Sequence, residues 1–334
     1  MSSQIDSFTG YRIHRIDGRI EARFDTLRLE DLSAGEVVIE VSHSSINYKD
    51  ALAATGAGSI LRRYPLVGGI DLAGRVIDSS VSSARVGDTV LVHGSGLSET
   101  RDGGYARYAR VPADAVVPLP AGFDASMAMA VGTAGFSAAL AIDRMEHNGQ
   151  RPDQGPIVVT GASGGVGSVA VDLLAARGYQ VVAVSSKPDM AGYLRALGAA
   201  EVIAPDQLTS GDQPLLTARW GGAIDNVGGA LLGRLLAATR TFGNVASIGM
   251  AASAQLSTTV MPFILRGVNL LGITSNNMPQ DQRRALWQRI GADLRPPHLD
   301  RILTRTLAFD ELPSAFAGYL RGGVHGRTVV RIGD

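Results

Sequence analysis

The sequence predicts an α/β protein in two parts, a doubly wound parallel sheet and a β-rich, partly open barrel. Three observations predict it. Between about residues 150 and 272, short strands that are apolar on both faces alternate with helical stretches, and such strands need crossover helices and a sheet covered on both sides. A glycine-rich turn joins the first of these strands to its helix. The first third of the chain instead consists of short runs broken by glycine and proline, as antiparallel strands in a small barrel require. At 334 residues the chain is long enough for about two domains.

The elements follow in order. Val37 to Ser42 alternates loosely, Asp88 to Val92 is a short apolar run, and Tyr105 to Val111 alternates around Arg107 and Ala109, before Val117-Pro118-Leu119-Pro120-Ala121-Gly122 breaks the pattern. Ile157 to Thr160 is a fully apolar strand. Val166, Val169, Ala170, Leu173 and Leu174 then share one helical face, with Gly178 as the stop. The pattern repeats through the strand Val181 to Val184, a helix around Tyr193 to Leu197 and strands at Glu201 to Ile203 and Ala223 to Asp225. A helix at Leu231 to Thr239 and strands at Asn244 to Ile248 and Asn269 to Ile273 complete it. Helices near Gln280 to Leu294 and Glu311 to Leu320 and a strand at Arg327 to Ile332 read as the chain returning to its first domain. The expected division is 1–130, 131–272 for the nucleotide-binding domain, and 273–334 for the return.

Composition narrows the function classes. The 31 cations balance 31 anions, so no basic footprint for nucleic acid or an anionic membrane is present. No apolar run reaches the roughly 18–20 residues of a spanning helix, and the first residues lack a signal-peptide layout; the expectation is a cytoplasmic protein with a small-molecule partner. Without any cysteine, disulfides, thiolate nucleophiles and thiolate metal sites are all excluded.

The segment Thr160-Gly161-Ala162-Ser163-Gly164-Gly165-Val166-Gly167 lies between strand and helix. Lacking side chains, its glycines permit a tight turn, a close approach by a pyrophosphate and close helix packing, while N–H groups at the helix start face the anion. Ser163, Gly164, Gly165 and Val166 are the expected phosphate cradle of a Rossmann sheet. The second strand ends about 18 residues beyond Gly167, where an acidic residue would hold the ribose 2′-hydroxyl of NAD. Ser185, Ser186 and Lys187 stand there instead. Two hydroxyls and a cation suit a 2′-phosphate, so NADPH is expected; an ordinary polar loop is the alternative. The short-chain dehydrogenases share this glycine spacing but need a tyrosine four residues before a lysine. Lys49 and Lys187 are the chain's lysines, and the residues at that spacing are Ser45 and Ala183.

Five segments occur in order: Ile46-Asn47-Tyr48-Lys49-Asp50-Ala51-Leu52, Gly69-Ile70-Asp71-Leu72-Ala73-Gly74, Val131-Gly132-Thr133-Ala134-Gly135-Phe136, Val159 to Gly167, and Thr259-Val260-Met261-Pro262-Phe263-Ile264-Leu265-Arg266. Over essentially the whole chain the sequence resembles the medium-chain dehydrogenase/reductase superfamily, and within its zinc-free, quinone oxidoreductase branch it resembles the acrylyl-CoA reductase group. That resemblance makes the barrel GroES-like. It also puts Asn47 and Gly69-Ile70-Asp71 where the zinc alcohol dehydrogenases carry a cysteine and Gly-His-Glu, a set that cannot make a thiolate–imidazole metal site. The four-cysteine zinc lobe is missing from the short Gly94 to Gly104 segment.

The resemblance implies hydride delivery to the β-carbon of an α,β-unsaturated thioester, with protonation at the α-carbon. Tyr48 is its leading catalytic and cofactor residue. Met250, Ile264, Ser275 and Arg327 are further cofactor contacts, Asn47 and Lys49 are weaker candidates for the enolate oxygen, and Asp50 and Asp71 are expected to fix loops. Arg62 and Arg63 could meet coenzyme A phosphates or form a solvated loop. The six histidines, His14, His43, His93, His147, His298 and His325, show no ligand spacing. A homodimer is the family expectation. The alternatives are a quinone or enone reductase with the same hydride step, and an NADPH-binding protein without turnover.

Overall fold

The computed structural model describes residues 6–208, 211 and 213–333. The chain divides into two compact units. One comprises Met1–Thr133, Asn276–Gly291 and Leu303–Asp334, the other Ala134–Ser275 and Ala292–Ile302.

The second unit is built on a six-stranded sheet ordered Glu201–Ile203, Val181–Val184, Ile157–Thr160, Trp220–Asp225, Thr239–Ser247 and Asn269–Gly272. Every neighbouring pair is parallel. Numbered along the chain, this order is 3-2-1-4-5-6, the doubly wound arrangement whose crevice opens at the carboxyl ends of the strands. Ile157, Val158, Val159 and Thr160 are all fully buried, as are Val181 to Val184, because helices cover both faces. Helix Gly165–Ala176 packs on the sheet and buries Val169, Ala170, Val171, Leu173 and Leu174. Gly178, with φ 81°, follows it in the left-handed conformation that stops a helix.

The first unit carries a mixed sheet ordered Leu303–Ala308, Arg327–Arg331, Val37–Ile46, Asp71–Ser79, Thr89–His93 and Val117–Pro118, with Tyr108–Val111 also on Val37–Ile46. The returning strand Arg327–Arg331 lies antiparallel to Val37–Ile46, pairing Thr328 with Ile46 and Val329 with Ser45. That register lays Arg327 beside the segment that begins at Ile46. Leu303–Ala308 and Arg327–Arg331 are parallel, an exception to the antiparallel pattern expected. A hairpin, Phe8–Ile16 with Arg19–Leu27, turns at Asp17 and Gly18, both at positive φ, and pairs with Leu66–Val67.

Two expectations are corrected. Tyr105 to Val111 is a strand only from Tyr108, because the backbone of Tyr105 bonds instead to Gly68 and Tyr11. Ala125–His147 folds as a 23-residue helix long and apolar enough to cross a membrane, where no apolar run of that kind was expected. Its most apolar stretch is 78% buried inside the protein, as in the core helix of a globular fold. Gly132, at φ 49° and ψ −159°, breaks its hydrogen bonding near the start.

Candidate active site

The glycine loop sits at the carboxyl end of Ile157–Thr160. Gly161 takes φ 57° to make the turn, and Gly164 caps helix Gly165–Ala176. A Cβ on Gly167 would lie 2.3 Å from the Gly161 carbonyl oxygen, so only glycine lets the helix approach the loop this closely. The Ala162 N–H donates to the Val184 carbonyl at 3.0 Å, tying the loop to the end of the second strand. The first N–H groups of this helix have no intrahelical acceptor and are the natural partners of an anion.

At that strand end the Ser163 and Ser185 hydroxyls are 3.5 Å apart, and the Lys187 N–H donates to Ser185 Oγ at 3.1 Å. Ser186 is exposed and Lys187 half-buried. Partial burial lowers the Lys187 ammonium from its usual range, with Asp189 opposing. No carboxylate occupies the position that would meet a ribose 2′-hydroxyl. This donor set fits a phosphorylated ribose. Across the sheet, Thr160 Oγ1 donates to Asp225 Oδ1 at 2.6 Å and the Gly228 N–H donates to Asp225 Oδ2 at 2.8 Å, which fixes the rim of the crevice. A Cβ on Gly228 would be 3.3 Å from the Met250 Cα, so the Met250 backbone lies on this rim, its side chain exposed. Ile264, on helix Met261–Arg266, is also exposed, and Ser275 Oγ accepts from Ser137 Oγ at 3.0 Å.

In the first unit, Asn47 and Asp71 meet in a buried hydrogen-bonded cluster. Asp71 Oδ2 accepts from Asn47 Nδ2 at 2.8 Å and from Ser45 Oγ at 2.5 Å. Its Oδ1 accepts from Thr133 Oγ1 at 2.5 Å, and the Thr133 N–H reaches both oxygens at 3.1 Å. Asp71 thereby caps the helix that resumes after the Gly132 break, a favourable place for a carboxylate. Arg327 closes the cluster. Its Nε donates to the Ala130 carbonyl, Nη1 to Asn47 Oδ1 and the Ile46 carbonyl, and Nη2 to Ser45 Oγ and the Met129 carbonyl, with Asp71 Oδ2 at 3.7 Å. All five N–H groups of Arg327 are thus engaged by protein acceptors. The Asn47 amide likewise bonds to Asp71, Asp50 and Arg327.

Asp50, fully buried, accepts from the Asn47 N–H at 2.8 Å and the Ile70 N–H at 3.0 Å. Burial, followed by the nearby Asp71 charge, pushes its carboxyl up to about 7, against the pull of those N–H groups. Helix Tyr48–Thr55 starts from this anchored pair, with Asn47 as N-cap and Asp50 at its third position. Tyr48 is therefore the first helical residue, 46% exposed, on a backbone fixed from both sides. Lys49 pairs with Glu99, whose other oxygen accepts from Asn276 Nδ2 at 3.0 Å. No local sequence signal marks Glu99 or Ser45 as members of this site, each joining through a contact distant in the chain, whereas Thr133 lies in one of the five segments.

Three of the histidines make structural contacts. His14 pairs with Asp25 and His298 with Asp172, both at 2.7 Å, and His93 is buried against Arg283. Among the described residues no group of three or more His, Cys, Asp or Glu side chains could hold a metal ion.

The comparisons agree with this architecture. Residues 33–121 match the alcohol dehydrogenase GroES-like domain and residues 165–292 the zinc-binding dehydrogenase family. Acrylyl-CoA reductase AcuI of Ruegeria pomeroyi is 45% identical over 316 residues, 94% of this chain and 96% of the relative. The yhdH oxidoreductase of Salmonella enterica, solved in complex with NADP, superposes with a TM-score of 0.94 at 42% identity over 97% of this chain and 100% of that one. The putative quinone oxidoreductase YhfP of Bacillus subtilis is 43% identical over 94% of this chain and 95% of the relative. Its structure, with NAD bound, gives a TM-score of 0.95 over 97% of this chain and 99% of that one. The chain belongs to the medium-chain dehydrogenase/reductase superfamily, in the quinone oxidoreductase-like group that contains the AcuI acrylyl-CoA reductases.

Proposed function

We propose that this protein is an NADPH-dependent reductase of an activated carbon–carbon double bond, converting acryloyl-CoA to propanoyl-CoA. The observation that carries the substrate is the 45% identity to AcuI across 94% of the chain. NADP in the Salmonella relative and the Ser185, Ser186 and Lys187 donors support the cofactor. Ser163, Gly164, Gly165 and Val166 would cradle the pyrophosphate, with the Met250 and Ile264 backbones and Ser275 beside the rest of the dinucleotide.

When bound, the cofactor supplies the hydride that adds to the β-carbon of the thioester. The π electrons move onto the carbonyl oxygen as an enolate, and a proton added at the α-carbon completes the saturated product. A thioester carbonyl already polarises the double bond, so the protein's task is to orient the acyl group, stabilise the enolate and deliver the proton. Tyr48 is the assigned proton donor or cofactor contact: its phenol is exposed while the backbone beneath it is held by Asn47 and Asp50. Asn47, Asp71 and Arg327 act through this positioning. Reduction with NADPH deuterated at the transferring position should place deuterium at the β-carbon of propanoyl-CoA, and solvent deuterium should enter at the α-carbon. Label at neither carbon, with the cofactor consumed, would overturn the reading. Tyr48→Phe should lower kcat more than it weakens NADPH binding.

The name of YhfP favours one second reading, a quinone reductase using the same hydride. A homodimer fits the exposed edge strand Asn269–Gly272 and the exposed Phe242, Val260, Ile264 and Leu265 of the same unit. A reaction on NADPH and a coenzyme A thioester also assigns the protein to the cytoplasm.

A further inference from the structure

Two adjacent arginines, Arg62 and Arg63, precede the strand Leu66–Val67, and their surroundings differ. Arg63 Nη2 donates to Ser33 Oγ at 2.6 Å, lies 4.0 Å from Asp102 Oδ2, and so clamps one loop to another. Asp102 also accepts from the Ser33 and Val67 N–H groups, both at 2.8 Å, which marks this end as a structural junction. Arg62 is exposed and its guanidinium has no hydrogen-bond or ion-pair partner among the described residues. Its N–H donates to the Glu99 carbonyl at 2.7 Å, and the carboxylate of the same Glu99 is taken by Lys49. Arg62 and Lys49 therefore flank Glu99, close enough for the Arg62 charge to depress the Lys49 ammonium, behind the effect of burial.

The local balance favours an anion. Lys49 pairs with Glu99 and Arg63 with Asp102, which leaves the Arg62 charge in excess beside Lys49, and the buried Asp50 is the further acid that bears on Lys49. Arg101 spends one nitrogen on the Ala34 carbonyl. Tyr48 and Lys49 are consecutive on a helix, so their side chains diverge by roughly 100° around its axis. A ligand reacting near Tyr48 would need length to reach the Lys49 side. A coenzyme A thioester has it, with a small acyl group at one end of the pantetheine arm and phosphates at the other.

We infer that Arg62, assisted by Lys49, binds the phosphates of the substrate's coenzyme A moiety, whereas Arg63 does not. The inference rests on the acyl-CoA reading above and adds a phosphate subsite to it. Binding energy taken there would hold an acyl group that has few handles of its own.

The test compares acryloyl-CoA with acryloyl-pantetheine, which carries the same reacting group and no phosphate. Arg62→Ala should cut kcat/KM for acryloyl-CoA about tenfold or more, as loss of a charged hydrogen bond does. It should leave kcat/KM for acryloyl-pantetheine and KM for NADPH unchanged, and the loss should shrink at high salt. Arg63→Ala should lower the melting temperature without changing the ratio of the two thioester activities. Equal losses on both thioesters, a raised KM for NADPH alone, or a ratio altered by Arg63→Ala and not by Arg62→Ala would overturn the inference while the acyl-CoA reading stands. A parent enzyme that reduces neither thioester would overturn both.

Discussion

Asp71 serves two structural ends at once: it caps the helix beyond Gly132 and holds Asn47, and Arg327 balances its charge. Where the resemblance places metal ligands of the zinc dehydrogenases, this chain carries the Asn47 amide, which donates to the Asp71 carboxylate. The missing thiolate was legible in the sequence, since a chain without cysteine cannot supply one. The role of Arg327 was not, because it depends on the register that pairs Thr328 with Ile46. Asp50 gives this cluster a pH signature. Its carboxyl titrates near 7 in the folded protein and about 3.9 in the unfolded chain, so the folded state holds the proton more tightly. The stability of the parent should therefore fall relative to Asp50→Asn as pH rises from about 4 to about 7, by up to a few kcal/mol, and level off above. Denaturant melts of both proteins across that range check this; a difference that does not vary with pH would contradict it. In the nucleotide-binding unit, Lys187→Ala should weaken NADPH by about 1–3 kcal/mol and leave NADH unchanged. Titration of both cofactors tests this, and equal affinities in the parent would remove the 2′-phosphate assignment.

Among the elements, the strands and helices of the parallel sheet were the most readable. Ile157–Thr160, Val181–Val184 and Glu201–Ile203 have the bounds that their apolar runs predict. Helix Ala125–His147 was missed for a physical reason. It is apolar on most of its surface and broken by Gly132, so it shows no amphipathic stripe. The hairpin at Asp17-Gly18 carried a recognisable turn pair, but its strands are largely polar on the outer face and read as no apolar run. Gly132 is the most exacting position. A Cβ there would lie 2.6 Å from Asp71 Oδ2 and 2.7 Å from Arg327 Nη2. With a positive φ added to that collision, Gly132→Ala should cost about 2–3 kcal/mol of stability. Its melting temperature should drop accordingly; an unchanged one would show that the cluster yields at no cost.

At the scale of the molecule, a six-stranded parallel sheet with a glycine loop at the end of its first strand, together with a GroES-like unit, supports the reading as a hydride-transfer protein. The substrate is the central claim. The most direct test is steady-state cofactor oxidation by the purified protein, comparing kcat/KM for acryloyl-CoA with that for simple quinones at saturating NADPH. The account predicts a clear preference for acryloyl-CoA with stoichiometric propanoyl-CoA as product; faster turnover of quinones would contradict it.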